Sequence, residues 1–401
     1  MTYEERQNQL ITLCRELIRT KSYSGEEGGV ARILEVFFEN NGYSDVRIDK
    51  YGNCIGCIKG KHPGPKLLFD GHMDTVVANP PAWSHDPFGG ETSDGKLYGR
   101  GASDMKGALA AMAAAAADFA QNLNFDFPGE IYVAGVVHEE CFEGIAAREV
   151  SAFVQPDYVV IGEASQLNLK IRQRGRAEVV VETFGVPAHS ANPEKGVNAV
   201  YKMCGVIERI RQLSPPHHLK LGYGIMELTD IKSSPYPGAS VVPDYCRVTY
   251  DRRLLVGEDK ESVIAPIRQL LDRMTEEDPE LKAKVSYAKD RQKCYTGYDI
   301  EGERFFPGWI YEEAEPFVQD VYKELVIMNF KPEITQYNFC TNGSHYAGEA
   351  GIKTLGIGPS MENQAHTTDE YIEIEQLLGA FQAYKCVMRA LLKTVKPQSD
   401  T

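Results

Sequence analysis

The sequence predicts an α/β layered domain that carries an inserted α+β segment. Three observations predict it. First, short apolar runs alternate with helical stripes through the early part of the chain, as strands and helices do when packed in layers. Second, acids and imidazoles stand where those runs stop: His72 and Asp74 after Leu67-Leu68-Phe69, Glu139-Glu140 after Val133 to Val137, and Glu163 after Tyr158-Val159-Val160-Ile161. Open α/β sheets bind ligands at the carboxyl ends of their strands, so this is the placement of a site built on a parallel sheet. Third, the pattern changes around Arg174-Gly175-Arg176 and resumes after about residue 292, with His366 in the last part. If His366 joins His72, the middle is an insertion. The expected division is 1–175 plus 293–401 for a discontinuous catalytic domain and 176–292 for the inserted domain.

Residues 3–20 read as a helix with Leu10, Leu13, Leu17 and Ile18 on one stripe. Ser24 followed by Glu27 reads as a capping box opening a second helix, with Val30, Leu34 and Phe37 inward. Strands are expected near 46–48, 54–58 and 67–69, then a helix over 105–121. Strand, helix and strand repeat through 131–137, 145–153 and 158–161. In the middle segment, the β-branched run 178–184 reads as a strand, 193–213 as a helix, 225–228 and 246–253 as strands, 260–274 as a helix and 284–288 as a strand. Two helices on one small sheet make an α+β unit. Afterwards come a helix over 312–327, a short strand at 354–357 and a closing helix over 374–392.

At 401 residues the chain exceeds one simple core, so two domains are expected. With 43% hydrophobic and 25% charged residues, the composition is that of a globular enzyme. A net charge of −14 argues against a nucleic-acid partner, which requires a basic face. The polar start Met1-Thr2-Tyr3-Glu4-Glu5-Arg6-Gln7 lacks the pattern of a secretory signal, and the alanine-rich stretch 108–117 is too short to span a bilayer, so no membrane is expected. Nine cysteines, an odd number without framework spacing, fit a reducing cytoplasm. Cys54-Ile55-Gly56-Cys57 is formally C-x-x-C, but it lies in an apolar run and no second such pair completes a zinc site, so it reads as an ordinary strand.

The carboxylates of Asp104, Glu140 and Glu163 with the imidazoles of His72 and His366 suit a pair of Zn²⁺ ions, with Co²⁺ or Mn²⁺ as substitutes. Two ions balance three carboxylates and a bridging hydroxide, whereas one leaves the acids under-compensated. Glu139 then remains as a base beside the metal-activated water. Asp74, two residues from His72, is expected to hold the imidazole's other N–H with its carboxylate and so fix the tautomer.

These residues resemble the M20 metallopeptidase family, which includes acetylornithine deacetylase, succinyl-diaminopimelate desuccinylase, aminoacylase and glutamate carboxypeptidase. The matching motifs are Gly71-His72-Met73-Asp74-Thr75, Gly99-Arg100-Gly101-Ala102-Ser103-Asp104-Met105-Lys106-Gly107, Glu139-Glu140, Gly162-Glu163, the run from His189 to Ala199, and His366. Within the family the chain is most similar to the selenium-metabolism-linked hydrolase branch, through Gln173-Arg174-Gly175-Arg176, Asp251-Arg252-Arg253-Leu254, Thr341-Asn342-Gly343 and Gly356-Ile357-Gly358-Pro359 leading to Ala365-His366.

The resemblance implies a zinc-exopeptidase-like mixed sheet flanked by helices, with a ferredoxin-like lid or dimerisation domain, and a homodimer. It implies His72 and Glu163 on one zinc, Glu140 and His366 on the other, and Asp104 bridging at a loop where the family often has a cis peptide. Glu139 becomes general base and then acid, His189 the oxyanion stabiliser and Arg253 the clamp for a substrate carboxylate. Glu rather than Asp at position 163 tilts the reading towards N-acyl amide hydrolysis. The family's late Gly-Gly-Thr/Ser-Asp segment reads Thr341-Asn342-Gly343-Ser344-His345 here, so its family contacts do not carry over; Asn342 is kept as a candidate substrate-binding residue of this chain.

Plainer readings stand beside these. Glu139-Glu140 could be a solvated helix start, although a strand precedes it. His138 would face away from Glu139 in a strand and is taken as structural. His189 could be merely exposed. Arg253 could pair with Asp251, and Arg174 and Arg176 with nearby glutamates. Gly99 to Asp104 mimics a dinucleotide fingerprint, but Asp104 replaces its third glycine and no βα turn precedes it. The expectation is a dinuclear zinc hydrolase cutting an amide bond in a small, carboxylate-bearing substrate, of the N-acyl amino acid deacylase type. The alternatives are a dipeptidase or other exopeptidase on the same site, and a non-catalytic binding protein, against which the intact Glu139 and full ligand set speak.

Overall fold

A computed structural model describes residues 2–393. The chain divides into two compact units. One holds the chain up to Gln173, Arg291–Glu301 and the chain from Trp309 onward; the other holds Arg174–Asp290 and Gly302–Gly308.

The first unit is built on a nine-stranded mixed sheet. Its path runs Asp45–Ile48, Cys54–Lys59, Pro128–Val136, His62–His72, Tyr158–Ile161, Lys353–Gly356, Leu169–Gln173 and Trp309–Ile310, with Ile334–Tyr337 also beside Leu169–Gln173. The four central strands, Pro128–Val136 to Lys353–Gly356, run parallel. His72 pairs with Val136, and Asp70 and Gly356 both with Ile161, so these four strands end within two residues of one another. The helix Gly107–Asn122 is alanine-rich and buried almost throughout, packed against Tyr3–Arg19 and Ile374–Leu392. A helix apolar on all sides is stable only when covered, and alanine lets its neighbours come close. Helix Tyr3–Arg19 buries the predicted stripe of Leu10, Leu13, Leu17 and Ile18 and is opened by a capping box from Thr2.

In the second unit the antiparallel strands are ordered Ile225–Ser234, Tyr245–Leu254, Gly175–Phe184 and Lys282–Tyr287, with Phe305–Phe306 added along Gly175–Phe184. Helices Ala199–Ile210 and Lys260–Glu277 follow the first and third of these strands in the chain, which is the ferredoxin-like βαββαβ arrangement. Strand alternation puts Val179, Val181, Val248 and Tyr250 against Met203, Val206, Ile264 and Ile267 of the helices. The segment Gly302–Gly308, expected in the catalytic domain, lies here because Phe305 and Phe306 pair with Ala177 and Arg176.

Several elements depart from expectation. The capping box at Ser24 and Glu27 does not form: helix Gly28–Asn40 has Glu27 at its N-cap with no side-chain cap bond. The helix expected over 193–213 is a single turn, Pro193–Lys195, followed by Ala199–Ile210, whose Asn198 cap accepts from the amides of Val200 and Tyr201. The helix expected from 312 starts at Pro316, where the fixed φ of proline suits a first helical position. Strands Leu169–Gln173 and Ile334–Tyr337 were not anticipated; Lys170 and Arg172 break the apolar run in the first.

At the end of the central strands the loop after Tyr337 is tied down through Asp70. Asp70 Oδ1 accepts from Asn342 Nδ2 at 2.9 Å and Oδ2 from the Tyr346 hydroxyl at 2.8 Å. Asn342 Oδ1 accepts from the Gly144 amide at 2.8 Å. Burial pushes the Asp70 carboxyl up to about 6 against these two donors. Asn342→Ala would leave the Gly144 amide and one Asp70 oxygen buried without partners, which costs about 1–3 kcal/mol. We expect a lower urea midpoint at unchanged slope; an unchanged midpoint would remove this tie from the account.

Candidate metal centre

The strand ends bring the predicted ligands together. His72 is the last residue of its strand, Glu163 lies two residues past Tyr158–Ile161, and Glu139 and Glu140 lie just beyond Pro128–Val136. Asp104 stands in the turn Ala102–Lys106 ahead of helix Gly107–Asn122; its φ of −127° and ψ of 92° are extended, so it sits outside the helical path. The peptide between Asp104 and Met105 is cis. His366 follows the turn Glu362–Gln364 with a left-handed φ of 63°.

Two groups of candidate ligands result, and they share one residue. His72, Asp104 and Glu163 form one, and Asp104, Glu140 and His366 the other, with the ligand atoms of each within 4.8 Å of one another. His72 Nε2 is 3.0 Å from Asp104 Oδ1 and 3.5 Å from Glu163 Oε1. His366 Nε2 is 3.2 Å from Asp104 Oδ2 and 3.0 Å from Glu140 Oε2. The two oxygens of Asp104 therefore face different imidazoles, the geometry a bridging carboxylate needs.

The tautomer of His72 follows from its other nitrogen. Nδ1 lies 2.8 Å from the main-chain carbonyl of Asp74, which only accepts, so Nδ1 donates there and Nε2 is the nitrogen left to face the acids. This corrects the expectation for Asp74, whose carboxylate is 3.6 Å from Nδ1. That carboxylate instead accepts from the Ser24 hydroxyl at 2.7 Å and from the amides of Glu139 at 3.0 Å and Glu140 at 3.2 Å. The strand ends at His72, so pleat alternation no longer governs Asp74. Its carbonyl reaches the ring and its side chain reaches the next strand's loop.

The cluster holds more negative charge than its imidazoles balance. Burial disfavours a charged His72, but Asp104, Glu163 and Glu139 together hold its imidazole well above the ordinary range. Hydrogen bonds to Asp104 and Glu140 raise His366 to about 10. Burial pushes Asp104 up, and the bonds from His366 and His72 override it and hold the carboxyl below its usual range. Glu163 and Glu140 are raised by burial and then by the charge of Asp104. Glu139 is raised well above the usual carboxylate range by burial, with Glu163 and Glu140 adding to it. Its Oε1 is buried without a hydrogen-bond partner. Nitrogen and carboxylate donors with surplus negative charge fit divalent cations.

Residues outside the predicted set hold this arrangement. Glu370 is fully buried, pairs with Arg100, and accepts from the amides of Ser103 at 2.8 Å and Asp104 at 3.1 Å, fixing the turn that carries Asp104. Nothing in Thr367-Thr368-Asp369-Glu370 distinguishes it from a polar turn. Other predicted residues lie elsewhere. His138 belongs to neither ligand group; its strand has already ended, and its φ of 54° belongs to a turn rather than a pleat. Asn342, a candidate substrate contact, is buried, and its amide bridges the Gly144 amide and Asp70, which gives it a structural role. In the second unit His189 is exposed, its Nδ1 accepting from the Ala191 amide at 3.0 Å. Arg253 Nε lies 2.9 Å from Asp251 Oδ1. Arg176 pairs with Asp251 and Glu178, whereas Arg174, whose plainer reading is a glutamate partner, donates to the main-chain carbonyls of Leu221 and Tyr223.

Comparison with known proteins identifies the family. The sequence profile of Peptidase family M20/M25/M40 matches residues 68–390. The chain is 30% identical over 397 residues to the protein named "Uncharacterized protein YgeY" of Escherichia coli (strain K12), covering 97% of this chain and 96% of that one. It is 28% identical over 398 residues to a succinyl-diaminopimelate desuccinylase of Cereibacter sphaeroides (strain ATCC 17025 / ATH 2.4.3), covering 94% and 98%. The crystal structure of the aminopeptidase PepT from Bacillus cereus shares the fold, with a TM-score of 0.74 at 19% identity over 96% of this chain and 98% of that one. The chain belongs to peptidase family M20/M25/M40 and is a hydrolase.

Proposed function

We propose that this hydrolase is a dinuclear metal enzyme that cleaves an amide bond in a small, carboxylate-bearing substrate, in the manner of an N-acyl amino acid deacylase. One observation carries the reading: the two oxygens of Asp104 face two separate His–Glu pairs, with Glu139 alongside and uncommitted at Oε1. His72, Asp104 and Glu163 would hold one ion, and Asp104, Glu140 and His366 the other. Zn²⁺ suits these donors best, with Co²⁺ and Mn²⁺ as substitutes. A bound pair of such ions supplies Lewis acidity towards a carbonyl oxygen and makes water acidic near neutral pH.

The protein's own groups perform the rest. Glu139 takes the proton of the attacking water and then delivers it to the leaving amine. Asp74 aims base and ligand together, since it holds the amides of both Glu139 and Glu140. His189 is assigned to the developing oxyanion and Arg253 to the substrate carboxylate, in exchange for Asp251. Deacylation is preferred over dipeptide cleavage because residue 163 is Glu and because the similar desuccinylase bears that name.

The assembly we propose is a homodimer formed through the second unit. Among the described residues, strand Ile225–Ser234 has one neighbour and an open outer edge, with Ile225 48% and Ile231 51% exposed. Open, apolar strand edges are prone to pair with another chain. None of the nine cysteines is in a disulfide, which fits the reducing cytoplasm we propose for it, and among the described residues no helix is long and apolar enough to cross a membrane.

Three outcomes are expected. A Zn²⁺-loaded screen of N-acyl amino acids and free dipeptides, read by release of primary amine, should find turnover among the former; turnover of dipeptides alone reverses the preference. On the substrate so found, Glu139→Gln should lower kcat by about 10²–10⁴-fold while metal content stays the same. Full turnover in that variant sinks the mechanism. Ile231→Glu should convert a dimer to a monomer by light scattering, whereas a dimer that persists moves the interface elsewhere.

A further inference from the structure

Where strand Pro128–Val136 ends, the chain leaves the sheet while still buried, and its next amides lose their ladder partners. Side chains replace those partners one amide at a time. Val137 N donates to Asn53 Oδ1 at 2.9 Å, and His138 N to Glu27 Oε1 at 3.2 Å. Glu139 N and Glu140 N donate to the two oxygens of Asp74. The amides of Cys141 and Phe142 then turn back to the carbonyl of His138. Every amide from Val137 to Phe142 is thus held, and the first four are held from other parts of the chain.

The holders are themselves fixed. Asn53 Nδ2 donates to Asp49 Oδ2 at 2.7 Å and to the Ala146 carbonyl at 3.1 Å. Asp49 Oδ1 accepts from the amides of Tyr51, Gly52 and Asn53. Glu27 Oε1 also accepts from the Gly25 amide at 2.9 Å, and Glu27 has no solvent exposure. Glu27 caps nothing in its own helix with its side chain, and its buried Oε1 joins the Gly25 and His138 amides.

We propose that Glu27 and Asn53 are positioning residues for Glu139 and Glu140: by holding the two preceding amides they set the direction in which base and ligand leave the turn. His138 is the pivot, with its left-handed φ of 54°. The inference rests on Glu139 as base and Glu140 as ligand.

The test compares Glu27→Met, which fills the space without an acceptor, with Glu27→Gln, which keeps one. Binding of Co²⁺ alone, followed by visible absorbance, needs no substrate; kcat and KM are measured on the amide found by screening. Glu27→Met should weaken one of the two Co²⁺ ions by about ten-fold and lower kcat by about ten-fold or more with KM little changed, the usual scale for groups that orient metal ligands. Glu27→Gln should restore both to within about three-fold. Should Glu27→Met not fold, Asn53→Leu makes the same test at Val137. A Glu27→Met protein with the wild-type Co²⁺ titration and kcat overturns the inference alone, and so does a Glu27→Gln protein as impaired as Glu27→Met. A wild-type protein that binds no Co²⁺ overturns the reading of the site as well.

Discussion

A strand that stops inside a protein leaves amides that water cannot reach, and each must find an acceptor. The arrangement of the candidate metal centre depends on how this constraint is met. The parallel strands of the first unit stop within two residues of one another, so their unpaired continuations crowd together. Asp74, Glu27 and Asn53 serve the continuation of Pro128–Val136, and Glu370 serves the turn at Asp104. Each acceptor ties a loop to another part of the chain. The ligand-bearing segments are therefore held by their backbones, and their side chains can meet at fixed distances without being part of any regular element.

Charge sets the second constraint. Asp104, Glu139, Glu140 and Glu163 sit together with little solvent to screen them, and only His72 and His366 offset them directly. Without a cation the imbalance is met by protons: the imidazoles are held charged and most of the carboxyls are pushed up. Divalent ions do the same work with fewer particles, and their binding displaces those protons. Metal affinity at such a site therefore rises with pH until the ligands are fully deprotonated.

What the sequence shows of this is the local part. Tyr158–Ile161 and Ile374–Leu392 have the bounds that periodicity assigns, because each is a strongly apolar element with sharp ends. The acids and imidazoles at strand ends are visible as short motifs. Contacts across tens or hundreds of residues carry no such mark. Glu370 looks like any turn glutamate until its two amide donors are seen, and Asn342 looks like a loop residue open to a ligand until Asp70 and Gly144 claim it. Asp74 was placed correctly beside His72, yet which of its atoms meets the ring depends on where the pleat ends, a matter of one or two residues. Strand Leu169–Gln173 is hidden because Lys170 is buried by reaching the Gln336 carbonyl and Glu362, so its polarity is not a sign of exposure.

Ser24 and Glu27 show why that hidden part is concentrated at the site. By local rules they should cap helix Gly28–Asn40, a contribution of about 1 kcal/mol. Ser24 instead donates to Asp74, and Glu27 accepts from His138. The helix goes without a side-chain cap and is held by burial of Val30, Leu34 and Phe38. Burying three such side chains contributes several times what a cap does, at about 1.5–3 kcal/mol each. The fold can therefore release both residues from capping without losing the helix. A local signal that a structure declines to use, next to a cluster of buried acids, marks where stability has been diverted to geometry.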